Sequence, residues 1–151
     1  MKLVLPREVR KRLHTAVKKA GRREIGGVLM AEQIEPGSFR LVDFSVDSHT
    51  GGAAHFVRSV EAHQAALSSF FEKTGTEYGR FNYLGEWHSH PNHLPIASLE
   101  DSISMESLVA GERDIPFAML LVVRSDWFSL ACSATMFAQS VAPTPVSIEV
   151  E

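Results

Sequence analysis

The chain has 151 residues, 44% of them hydrophobic and 22% charged, with a formal net charge of −3, the composition of a soluble globular domain long enough to bury a full core. A single cysteine excludes an internal disulfide and any cysteine-based zinc knuckle. No run approaches a membrane span and Met1 to Pro6 is too short for a signal-peptide core, so the cytoplasm is the expected location and no membrane partner is expected.

The charge is unevenly spread. Residues 1 to 23 carry nine of the fifteen Lys and Arg with only Glu8 opposing them. Within this stretch Lys2 to Leu5 reads as a short strand. Pro6 then suits the first position of a helix reaching about Ala20, with Gly21 as its stop. Val9, Leu13 and Val17 recur every four residues and give that helix one buried stripe. Lys11, Arg12, Lys18, Lys19, Arg22 and Arg23 are either the solvated face of the helix, the more common case, or a surface for an acidic partner, and without interleaved aromatics no nucleic-acid partner is expected.

Ile25 to Ala31 and Phe39 to Val46 read as the two strands of a hairpin joined through Glu35-Pro36-Gly37-Ser38. The Gly-containing stretch from Asp47 to Arg58 has no periodicity. It is either a strip that contacts an extended peptide or a plain connector, and His49 and His55 are polar loop residues on either reading. Ser59 is placed to cap a second helix that turns Val60, Leu67, Phe70 and Phe71 inward and ends near Gly75. His63 and Gln64 interrupt its stripe, and His63, like His14 on the first helix, has no catalytic assignment.

Phe81 to Trp87 has strand-like aromatics and runs into Gly85-Glu86-Trp87-His88-Ser89-His90-Pro91, where the proline ends a central strand. Alternate residues of a strand share a face, so the His88 and His90 imidazoles reach one point. After a short loop, Ser98-Leu99-Glu100-Asp101 opens an apolar-periodic helix with Ile103, Met105, Leu108 and Val109. Asp101 then lies in its first turn, able to face back to the strand end. Two imidazoles and one carboxylate suit Zn²⁺, and three protein ligands leave the fourth position open, as in catalytic rather than structural zinc. Ser98 and Asp101 also have the spacing of a capping box, which is compatible with ligation because a cap fixes where the first turn points.

Pro116 to Val123 and Trp127 to Phe137 are two further strands around Arg124-Ser125-Asp126. Cys132 sits in a mostly apolar run and reads as a buried, inert thiol. Residues 1–141 are expected to form a single domain, with residues 142–151, containing Pro143 and Pro145, a mobile tail without a clear element. Strands separated by three helices fit an α/β (α+β) fold, a mixed sheet flanked by helices.

His88-x-His90, seven residues, Ser98, two residues, Asp101 resembles the JAMM motif of JAB/MPN metalloproteases, and Trp87 and Pro91 flank it as in that family. Glu24-Ile25-Gly26-Gly27-Val28-Leu29-Met30 resembles the family's upstream glutamate at the start of a strand. The resemblance implies a curved mixed β-sheet of JAB/MPN, cytidine-deaminase-like architecture. It also implies one Zn²⁺ per chain on His88, His90 and Asp101, Glu24 as the general base, and Ser98 as an oxyanion donor. It implies as substrate a ubiquitin-like protein or its conjugate, cut after the C-terminal glycine. The Gly85-Glu86-Trp87-His88 form is similar to a prokaryotic branch found beside ubiquitin-activating-like or conjugating-like enzymes in anti-phage operons.

Ala97 departs from the proline common before the serine, although Pro95 still stiffens the loop. Glu86 shares the parity of the ligands and is either a supporting carboxylate or a solvated charge. His93 is a spare imidazole near the metal site that reads first as a mobile polar loop residue, and taken alone Glu24 reads as an exposed acid answering Arg22 and Arg23. A zinc deaminase is excluded for want of a Pro-Cys-x-x-Cys pair, and an amidohydrolase barrel needs about 250 residues. The competing class is a non-catalytic MPN-type scaffold that binds partners.

Overall fold

A computed structural model of the protein describes residues 1–47, 60–112 and 115–151. In chain order the elements are β1 (Lys2–Leu5), α1 (Arg7–Ala20), β2 (Gly26–Glu35), β3 (Ser38–Phe44), α2 (Val60–Lys73), β4 (Phe81–Ser89), α3 (Leu99–Ser107), β5 (Phe117–Ser125), β6 (Leu130–Ala138) and β7 (Val141–Val150). After α3 the chain turns on through Leu108–Glu112 and kinks at Gly111, whose backbone is not helical. The expected hairpin is present as the antiparallel pair β2 and β3, and the first helix ends at Gly21, whose φ of 63° suits glycine. The proposed cap Ser59 and the histidines His49 and His55 lie outside the described residues.

The expectation of a curved mixed sheet needs correction: the seven strands close into a mixed barrel in the order β1-β3-β2-β4-β5-β6-β7, with β7 pairing back onto β1. Three pairs are parallel, β1 with β3, β1 with β7, and β4 with β5. Closure comes from the segment expected to be a mobile tail. Residues 141–146 of β7 register with β6 and residues 147–150 with β1. Both prolines therefore fall where β7 has one neighbour, the setting in which a missing N–H is tolerated.

Strand parity sorts the core into two faces. Leu3, Leu5, Leu29, Leu41, Trp87, Met119, Leu121 and Val123 form one cluster with the α1 stripe of Val9, Leu13 and Val17. On the opposite face Val28 and Met30 carry α2 through Leu67 and Phe70, while Ala118, Leu120 and Val122 carry α3 through Met105, Leu108 and Val109. His63 is fully buried, so the stripe of α2 is broken in chemistry but not in burial.

Gly85 sits at φ 155° in the middle of β4, and a Cβ there would collide with the backbone of Met119 on β5. Gly85→Ala combines an unfavourable backbone with a steric clash. It is expected to cost about 3 kcal/mol, read as a lowered urea midpoint at unchanged m-value.

Among the described residues no helix is long and apolar enough to cross a membrane.

Candidate metal centre

The parallel pairing of β4 with β5 sets His88 beside Val122 and Glu86 beside Leu120. His88 thus points to the face on which α3 packs, and Trp87 to the other, where it is fully buried and donates its indole N–H to the Ser45 carbonyl at 2.7 Å. Glu86 is buried on the ligand face, which rules out the solvated reading.

Helix α3 begins with a complete capping box. Ser98 Oγ accepts the Asp101 N–H at 3.1 Å, and Asp101 Oδ2 accepts the Ser98 N–H at 2.8 Å. This box fixes the Asp101 carboxylate over the strand end. Its Oδ1 lies 3.1 Å from His88 Nε2 and its Oδ2 lies 3.2 Å from His90 Nε2. Burial opposes ionisation of Asp101, but the hydrogen bonds of the two imidazoles, the charge of His88 and the Ser98 N–H outweigh it and hold the carboxyl far below the usual carboxylate range.

These separations bear on whether a metal fits. Ligands held about 2.0–2.1 Å from a tetrahedral ion lie roughly 3.3 Å from one another, close to both spacings. The tautomer of His90 adds a second argument. Its Nδ1 lies 2.9 Å from the Leu94 carbonyl, an acceptor only, so Nδ1 carries the hydrogen and a neutral ring presents a bare Nε2 lone pair to Asp101. Two acceptors facing each other at 3.2 Å call for a positive charge, either a proton on Nε2 or a cation beyond it. Burial works against the proton, yet Asp101, Leu94 and Glu24 together raise the His90 pKa. The carbonyl on Nδ1 also orients the ring as metal-bound histidines require. The donor set therefore fits Zn²⁺.

Glu24 is 4% exposed, which overturns its reading as a surface acid. It is carried to the site by Ser89, a residue the sequence argument passed over. The Ser89 hydroxyl accepts the Ile25 N–H at 3.0 Å and its own N–H donates to the Ile25 carbonyl at 2.9 Å. The serine between the two histidines thus clamps the chain next to Glu24, and its inward parity in the His-x-His pattern was the available signal. Burial raises the Glu24 pKa, with His90, His88 and His93 pulling the other way.

His93 is not a free loop residue. Its Nε2 lies 3.1 Å from Glu24 Oε1, and its ring centroid is 4.7 Å from that of His90. The loop around it is pinned: Arg124 donates to the His93 carbonyl at 3.3 Å, and the Ser133 hydroxyl to the Pro95 carbonyl at 2.6 Å. These ties replace the rigidity that Ala97 fails to provide. Ser98 is exposed, and because its oxygen only accepts in the cap, its own O–H remains able to donate. Cys132 lies away from these groups on β6 and is only partly buried, and burial, opposed by Arg10, pushes its thiol pKa up, in keeping with an inert side chain.

The chain matches the family described as prokaryotic homologs of the JAB domain over residues 6–138, and it belongs to that family. No curated protein matches it. Among solved structures it is similar to the solution structure of protein DSY2949 from Desulfitobacterium hafniense, with a TM-score of 0.72 and 16% identity over 99% of this chain and 92% of that one. At that identity the likeness speaks for the fold alone.

Proposed function

We propose that this protein is a zinc-dependent peptidase or isopeptidase that hydrolyses the bond after the C-terminal glycine of a ubiquitin-like protein, in deconjugation or in precursor processing. The observation that carries the reading is the buried Glu24 carboxylate, held within 4.8 Å of the His90 ligand atom beside an aspartate and two histidines with zinc-like spacing. The substrate class rests on the resemblance of the motif to that of JAB/MPN metalloproteases.

His88, His90 and Asp101 would hold the ion, which when bound supplies Lewis acidity toward the scissile carbonyl. Glu24, with its pKa raised by burial, is suited to accept a proton from water and return it to the leaving amine. Ser98, fixed by its cap, presents an O–H to charge developing on the carbonyl oxygen. The leaving group is an amine in both peptide and isopeptide bonds, so the same residues serve either.

The test uses a fusion of a Gly-Gly-ending ubiquitin-like protein to a reporter. Mass spectrometry should find cleavage after the last glycine, lost with a chelator and restored by Zn²⁺. Cleavage that ignores the chelator, or none in zinc-loaded protein, rejects the proposal and in the second case favours the scaffold reading. Binding alone has its own signature. Zinc at about 100 times its Kd should add about 2.7 kcal/mol of stability, raising the melting midpoint by roughly 5–10 °C in a calorimetric scan.

A further inference from the structure

Two triads overlap in this site. His88, His90 and Asp101 form one, and Glu24, His90 and His93 form the other, with the candidate ligand atoms of each triad within 4.8 Å of one another. His90 cannot serve both, because Nδ1 is committed to the Leu94 carbonyl and Nε2 has one lone pair. When the first ion occupies His90, what remains of the second triad is Glu24 Oε1 and His93 Nε2, 3.1 Å apart, again about the edge of a tetrahedron around zinc. The His93 side chain is 49% exposed, so this pair is open to solvent while the Glu24 carboxylate is sunk beside the first site.

We propose that Glu24 and His93 form a second, weaker divalent-cation site that fills only at excess zinc and blocks the general base. This rests on the peptidase reading for its effect on activity, though not for the binding itself. A carboxylate that coordinates a dication through Oε1 is a far weaker base at its remaining lone pairs, so occupancy suppresses base catalysis. With two protein ligands against three, the second site is on the order of 100-fold weaker than the first. His93 is then a residue through which metal supply sets activity.

The experiment titrates metal-free protein with Zn²⁺ alone in a non-chelating buffer by isothermal calorimetry, beside the fusion-cleavage assay over the same zinc range. The wild type should bind in two phases and its cleavage rate should rise and then fall. His93→Leu should keep the first phase, lose the second, and move the inhibitory zinc concentration upward by at least about tenfold. Glu24→Gln should likewise keep only the first phase. A single phase in the wild type, or a second phase that survives His93→Leu, overturns the proposal. If instead the peptidase reading is what fails, no zinc concentration gives cleavage while the His93-dependent phase persists.

Discussion

Glu24→Gln is expected to lower the cleavage rate of a ubiquitin-like fusion by roughly 10²–10⁴-fold, the span that positioned general acid–base groups contribute. The substitution keeps the shape of the side chain and a carbonyl oxygen for the His93 contact at 3.1 Å, but removes the proton acceptor. Because Glu24 lies outside the triad of His88, His90 and Asp101, tight zinc binding should be unchanged, and metal analysis of the purified variant checks that. The burial that raises the Glu24 pKa disfavours a charge, so the neutral amide should also leave folding stability equal or slightly improved. A variant that keeps its zinc and still cleaves at the wild-type rate would remove Glu24 from the chemistry.

Asp101→Ala is expected to abolish tight zinc binding and weaken the start of α3 together, since under the proposed function one carboxylate does both jobs. Half of the capping box goes with it, at about 1 kcal/mol. The loss of a ligand that nearly touches both histidines, at 3.1 and 3.2 Å, should reduce zinc affinity by more than about 100-fold. Asp101→Asn separates the two effects. Its amide oxygen still accepts the Ser98 N–H, so the helix start survives, while the missing charge leaves the ion poorly compensated. Equilibrium dialysis against zinc and thermal melts of the metal-free proteins read the two quantities independently. If Asp101→Asn holds zinc as tightly as the wild type, Asp101 is a cap and not a ligand.

Much of this site was legible because local rules wrote it. The alternation of a strand brought His88 and His90 to one side, and the spacing from Ser98 to Asp101 announced a helix start whose geometry then placed the carboxylate. The burial of Glu24 was not legible, since Arg22 and Arg23 beside it describe a surface, while the Ser89 clamp on Ile25, 64 residues apart in sequence, and the His93 contact draw it in. His93 was misjudged for a related reason. Loop composition reports local freedom and is blind to Arg124 and Ser133, which hold the loop from two other strands. The closing strand was missed because Pro143 and Pro145 argue against a strand with two partners, and β7 has one at a time. Face parity, by contrast, follows simple alternation along β5 but switches at bulges in β3 and β4, which put Phe44 with Leu41 and Leu84 with Trp87 in one cluster.

Strand β4 is hemmed in where it carries the ligands: Gly85 to His88 register with β2 on one side and with β5 on the other. From Gly85 to His88 the main chain is therefore paired on both sides, so an extended peptide cannot lengthen the ladder there. Under the proposed function, an extended tail would then be gripped by other segments, and substrate choice would rest with those while the candidate metal centre stays fixed.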